Sequence, residues 1–138
     1  MAEPQSFDLE ALPDPRAARA ARLEAARGEL RAATEQGAGG RQALRQYSHR
    51  MDALVQQVFS DAEPASQLVG VFALGGYGRR QLCLHSDVDL LILFAGPIVN
   101  QDERFLHTFL NPLWDLGLTL GHHVREVQDG RQLEADNP

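Results

Sequence analysis

Along residues 41–60 the apolar side chains Leu44, Tyr47, Met51, Leu54, Val55, Val58 and Phe59 recur at three- and four-residue spacing. That period predicts a helix with one stripe turned to a core. A short apolar run, Leu68 to Leu74, is bounded by turn residues and reads as a buried strand. Gly75-Gly76 ends it, and residues 78–84 read as a short helix or turn. Asp87 to Phe94, "DVDLLILF", reads as a second strand closed by Gly96-Pro97. Between Gln101 and Leu116, Phe105, Leu106, Phe109, Leu110, Leu113 and Trp114 return to helical spacing. Pro112 predicts a kink or a second start there. Trp114 is expected in the core between helix and sheet. Leu118 to Val127, "LTLGHHVREV", reads as a third strand.

The flanks are different. Residues 16–35 are rich in Ala, Arg and Glu, strong helix formers, with Asp14-Pro15 as cap and first turn. Only Leu23 and Leu30 are large and apolar, so this helix is expected to hold its core weakly and to present a solvated face. Gly37-Ala38-Gly39-Gly40 separates it from the next helix. Residues 1–14 read as a mobile polar arm, and the tail from Gln128 to Pro138 is polar. The predicted division is an arm at 1–14, a helical region at 15–63 and a sheet-bearing domain at 64–138. Helices followed by alternating strands and helices give an α/β (α+β) layer pattern.

Composition narrows the function classes. The 138 residues suffice for one domain with a real core. A net charge of −6 argues against a protein that coats nucleic acid. The basic residues number 13, and all are arginine, so a basic phosphate contact must come from Arg or His. The lone cysteine, Cys83, permits no internal disulfide and is expected to be a small buried hydrophobe. No stretch approaches a membrane span and the N-terminus has no signal pattern, so the expected location is the cytoplasm, with no membrane partner.

The candidate chemistry lies in "ALGGYGRRQLCLHSDVDLLILF" at residues 73–94. On a strand, Asp87 and Asp89 point the same way, about 7 Å apart at Cα. Carboxylates so close need a positive charge between them. Mg²⁺ takes one or two carboxylates plus substrate phosphates. A strand ending in Gly75-Gly76 lets backbone N–H groups approach phosphate oxygens, and a helix start after it adds a favourable dipole. Arg79 can fork onto phosphate. Ser86 can donate to a phosphate or orient Asp87. Either motif alone is weak, since strand-ending glycines and Asp-x-Asp caps are common; together, ten residues apart, they are more specific. The parts are those of nucleotidyl transfer: a phosphate cradle, a metal clamp and an attacking hydroxyl. Neither the P-loop pattern nor G-x-G-x-x-G is present.

This stretch resembles the nucleotidyltransferase domain of the bacterial PII uridylyltransferase/uridylyl-removing enzymes. That family reads roughly Gly-Gly-x-Gly-Arg-x-Glu-Leu-x-Pro-x-Ser-Asp-x-Asp. Gly75, Gly76, Gly78, Arg79, Leu82, Ser86, Asp87 and Asp89 match; Gln81 and Leu84 depart from it. "LWDLGLTLGHHVR" at Leu113–Arg125 is similar to a second family segment. The resemblance covers about residues 40–138 and implies a DNA-polymerase-β-like mixed sheet. It implies transfer of UMP from UTP to a tyrosine of the nitrogen-signalling protein PII, with Mg²⁺ (or Mn²⁺), releasing pyrophosphate. Asp87 and Asp89 would be catalytic and metal-holding; Gly75, Gly76, Arg79 and Ser86 would bind nucleotide. The family's hydrolase and glutamine-sensing domains do not fit in this chain, so an N-terminal fragment, truncated at its C-terminus, is expected. Many enzymes of this fold use a third carboxylate on a later strand. The third strand here offers His122, His123 and Glu126, and no Asp. Two alternatives stay open: a nucleotide-binding module without turnover, and a nucleotidyltransferase of the same fold with another base or acceptor.

Overall fold

The computed structural model describes residues 14–38 and 40–128. The predicted arm up to residue 13 and the tail beyond residue 128 lie outside them.

Helix α2, Arg41–Asp61, carries most of the predicted stripe: Tyr47, Met51, Leu54, Val55 and Val58 are buried, Leu44 is half-buried, and Phe59, near the end of the helix, is exposed. Against it packs α1, Pro15–Glu35, through Leu23, Ala26 and Leu30. Asp14 caps α1 by accepting the Arg16 N–H at 3.0 Å, with Pro15 in the first turn. Two apolar leucines would bind this helix weakly, and ion pairs add to them: Arg19 with Asp61 at 2.9 Å and Arg50 with Glu29 at 3.2 Å.

The other elements build a sheet with helices on one face. Strand β1 is Val69–Leu74, β2 is Val88–Phe94 and β3 is Leu120–Glu126. The short α3, Gly75–Gly78, lies between β1 and β2, and α4, Asn100–Asp115, lies between β2 and β3. The order is β1-β2-β3, with β2 antiparallel to β1 and parallel to β3. This is a mixed sheet in an α+β fold, as expected. β2 alternates strictly: Val88, Leu90, Ile92 and Phe94 are buried, while Asp89, Leu91 and Leu93 are half-buried on the other face. Phe94 meets Phe105 of α4 edge-on at 6.2 Å, and Phe105 stacks on Phe109 at 5.7 Å.

Several expectations need correction. β1 is an edge strand, paired only with β2 among the described residues, and is not buried: Phe72 is 50% exposed, and Leu68 just before it 81%. The short helix, α3, occupies Gly75–Gly78, and the segment 78–84 read as a short helix or turn holds a turn at 79–80 and the start of another at 84. α4 runs unbroken through Pro112. The proline sits near its C-terminal end, where one lost hydrogen bond is outweighed by burial of Phe109, Leu110 and Leu113. Trp114 is 43% exposed and packs edge-on against His122 at 5.4 Å, at the rim rather than in the core. Cys83 is exposed, because it stands in a turn where Leu82, its neighbour, takes the buried position.

One buried charge was not anticipated. Asp102, in the first turn of α4, has no exposed surface. Its carboxylate accepts the N–H of Ser66 at 2.8 Å and of Val99 at 3.0 Å, the Ser66 hydroxyl at 2.9 Å and the Gln67 amide at 2.9 Å. Gln67 also donates to Pro97 O at 2.9 Å. The carboxylate therefore ties the entry to β1 to the start of α4. Burial alone would raise its pKa; the donors from Val99, Gln67 and Ser66 outweigh it and hold the group at about 2, below the ordinary 3.8. A depressed pKa stabilises the fold fully above the ordinary value and loses that contribution as pH falls through the folded one. Acid titration of unfolding should show a loss of stability from about pH 4 down to about pH 2. In Asp102→Asn that pH-dependent part should be missing, and the midpoint temperature at pH 7 should fall more than for Asp61→Asn.

Candidate functional site

β1 ends at Leu74, which stands opposite Asp89, and Asp89 in turn stands opposite Gly121 of β3. The Asp89 carboxylate is thus flanked by the turn after β1 on one side and by β3 on the other. A Cβ on Gly75 would lie 2.8 Å from Asp89 Oδ2, and one on Gly121 would collide with Asp89 Oδ1. Gly75 also has φ +58°, a region that side chains disfavour. Gly78 is required for another reason: its Cβ would sit 2.7 Å from Ala73 O. Gly76 differs from these three. Its nearest described neighbour would be Gln81 O at 3.6 Å, an ordinary contact. Backbone conformation favours glycine at 75 and packing against the Ala73 carbonyl demands it at 78; at 121 an added Cβ would have to displace the Asp89 carboxylate, and 76 is free of both constraints.

Asp87 precedes β2 and is exposed; Asp89 is inside the strand and half-buried. Among the described residues, neither carboxylate accepts a hydrogen bond or pairs with a cation. Ser86 does not bond to Asp87. Its hydroxyl donates to Cys83 O and accepts the Cys83 N–H, both at 2.9 Å, closing the turn that delivers Asp87 to the strand. Arg79 is exposed, its N–H bonded to Gly75 O at 3.1 Å. His122 and His123 are exposed. His122 pairs with Leu90, so strand alternation puts it on the helix-packed face, away from Asp89. Glu126 accepts the Ile98 N–H at 3.2 Å at the far end of β3. Among the described residues no group of three His, Cys, Asp or Glu side chains could hold a metal. Two carboxylates with no partner among the described residues are still a hard oxygen donor set, and phosphate oxygens would complete it around Mg²⁺.

Sequence reasoning did not reach the contacts that hold the glycine turn. Arg80, with φ 61°, pairs with Asp52 of α2, and the Tyr77 hydroxyl donates to the same carboxylate at 2.7 Å. The only signal was the i, i+4 spacing of Ser48 and Asp52 on the face of α2 beside its apolar stripe.

Comparison with known proteins bears directly on this arrangement. The chain is 37% identical over 124 residues, 83% of its length, to the bifunctional uridylyltransferase/uridylyl-removing enzyme of Azospirillum brasilense. It is 35% identical over 101 residues, 72% of its length, to the enzyme of that name from Acinetobacter baumannii strain ATCC 17978. The chain is similar to a short segment of these uridylyltransferase/uridylyl-removing enzymes. A stretch of 57 residues is 53% identical to the Bordetella parapertussis enzyme of the same name. The chain spans only 11% to 13% of the length of the first two relatives. No protein-family model matches it, and no solved structure does. No described helix of the chain is long and apolar enough to cross a membrane.

The glycines make a sharp stability test. Gly75→Ala should destabilise by about 1–2 kcal/mol or more, from positive φ and the Asp89 contact together. Gly76→Ala, in a helical conformation with room for a methyl, should be neutral or stabilising by up to about 1 kcal/mol. Denaturant unfolding of the two variants checks this; equal losses would overturn the steric account.

Proposed function

We propose that the chain carries a Mg²⁺-dependent nucleotidyl-transfer site that moves UMP from UTP to a tyrosine hydroxyl of PII. The observation behind this is the pair Asp87 and Asp89, without protein partners among the described residues, set beside a glycine turn in a chain related to enzymes named for uridylyl transfer. Asp87 and Asp89 would hold the metal, which when bound lowers the pKa of the attacking hydroxyl and neutralises charge on the phosphates. The backbone N–H groups of Gly75 and Gly76 and the Arg79 guanidinium would bind the triphosphate. Freedom from steric demand at Gly76 fits a backbone kept bare for a ligand. Ser86 would serve by fixing the turn before Asp87. In the reaction the acceptor oxygen bonds to the α-phosphorus, the bond from that phosphorus to the bridging oxygen breaks, pyrophosphate leaves, and the hydroxyl proton passes to solvent.

A second reading has support from one observation: no third acid joins the two aspartates among the described residues. On that reading the module binds nucleotide without turnover.

Calorimetric titration with UTP, with and without Mg²⁺, tests the site. Binding should need Mg²⁺ and should weaken at least about tenfold in the folded Asp87→Asn/Asp89→Asn double variant. Labelled UMP should then appear on PII when UTP and PII are supplied. Metal-dependent binding without transfer would favour the second reading. A folded protein that binds no UTP would overturn both.

A further inference from the structure

A row of polar side chains on α2 grips the segment that follows β1. Asp52 accepts the Tyr77 hydroxyl at 2.7 Å and Arg80 Nη1 at 3.0 Å on one oxygen, and Arg80 Nη2 on the other. His49 Nδ1 lies 2.9 Å from that same Nη2. One turn earlier on α2, Ser48 Oγ accepts the Leu82 N–H at 3.1 Å, and its own proton goes to Leu44 O. Tyr77 precedes Arg79 and Arg80 follows it, so the grip falls on both sides of the arginine assigned to phosphate. Arg80 holds φ 61°, a conformation that costs a non-glycine residue free energy and persists only when surroundings impose it.

We propose that Asp52 is a positioning residue for phosphate binding: through Tyr77 and Arg80 it fixes the direction in which the Gly75–Arg79 turn presents its N–H groups and the Arg79 side chain. This rests on reading that turn as the phosphate cradle. Asp52 ties α2 to the glycine turn and to Arg80 just after it, whereas Asp61 on the same helix pairs with Arg19 of α1. Both of its hydrogen-bonding residues lie in or beside the turn itself. The ionisation states agree with the geometry. Burial raises the Asp52 carboxyl, but hydrogen bonds from Arg80 and Tyr77 outweigh it and keep the group below the ordinary 3.8. Burial and Asp52 together push the Tyr77 phenol well above its ordinary value, so it stays a donor at neutral pH. The clamp is preorganised before any anion arrives, which is what an anion site requires of its donors.

The test compares Asp52→Asn, Tyr77→Phe and Asp61→Asn with the unmodified chain, well below each unfolding transition. Two probes are titrated with Mg²⁺: UTP and tripolyphosphate. Asp52→Asn should weaken both by about the same factor, on the order of tenfold, because the fault lies in the phosphate cradle. Tyr77→Phe should weaken both by a smaller factor, and Asp61→Asn neither. Amide hydrogen exchange should quicken at Gly76–Arg80 in Asp52→Asn and stay unchanged in β2. A merely structural role would lower the unfolding temperature and leave both affinities in place. Should Asp52→Asn not fold, Tyr77→Phe carries the same comparison. Affinities within about twofold of the unmodified chain, in an unmodified chain that does bind, would overturn the positioning role alone. If the unmodified chain binds neither anion, the cradle reading fails and the proposal falls with it.

Discussion

The contact on which the site depends is that of the Asp89 carboxylate with two bare Cα atoms, Gly75 on one side and Gly121 on the other. It needs β2 in the middle of the sheet, with β1 ending one residue before Gly75 and β3 in register at Gly121. A slip of one residue on either side would turn Asp89 into the core or put a side chain where its oxygens lie. The buried alternation of Val88, Leu90, Ile92 and Phe94 against α2 and α4 opposes that slip. Core packing on one face of β2 thus fixes the placement of a charge on the other.

The turn segments around this strand are held by polar groups. Asp102 fastens the entry to β1, Asp52 and Ser48 fasten the exit, and Ser86 closes the turn that leads to Asp87. Each carboxylate is kept ionised by several donors, so it retains its charge despite partial or full burial. Helices supply three of these four anchors, Asp52 and Ser48 from α2 and Asp102 from α4. Helices α2 and α4 therefore act on the turn segments from outside them.

Much of this was legible from spacing. The α2 stripe, the apolar β2 run and the α4 periodicity were strong signals, and the elements lie where those signals placed them, within a few residues. The pairing of a glycine turn with Asp-x-Asp marked the region where Gly75, Asp89 and the turn between them meet. What escaped was long-range. Nothing in "VGVFAL" tells an edge strand from a buried one, because apolar runs serve both. Asp102 and Asp52 looked like ordinary helix-surface acids, since their partners at 66, 67, 77 and 80 are brought near only by the fold. Trp114 and Cys83 were expected inside from residue type, whereas position at the end of α4 and in a turn decided their exposure. Gly121 carried no signal of its own; only the β2–β3 register showed why it has no side chain.

The edge strand β1 has one further property. It is half-exposed, and it gains less from apolar burial than β2 does. Its two ends hang instead from carboxylates on α4 and α2. Attraction between apolar surfaces weakens on cooling, while hydrogen bonds to charged groups do not fade in the same way. Chilling the protein should therefore loosen the core-facing leucines of α1 relatively more than the ends of β1. The segment that bears the glycine turn is fastened by the kind of contact least sensitive to cold.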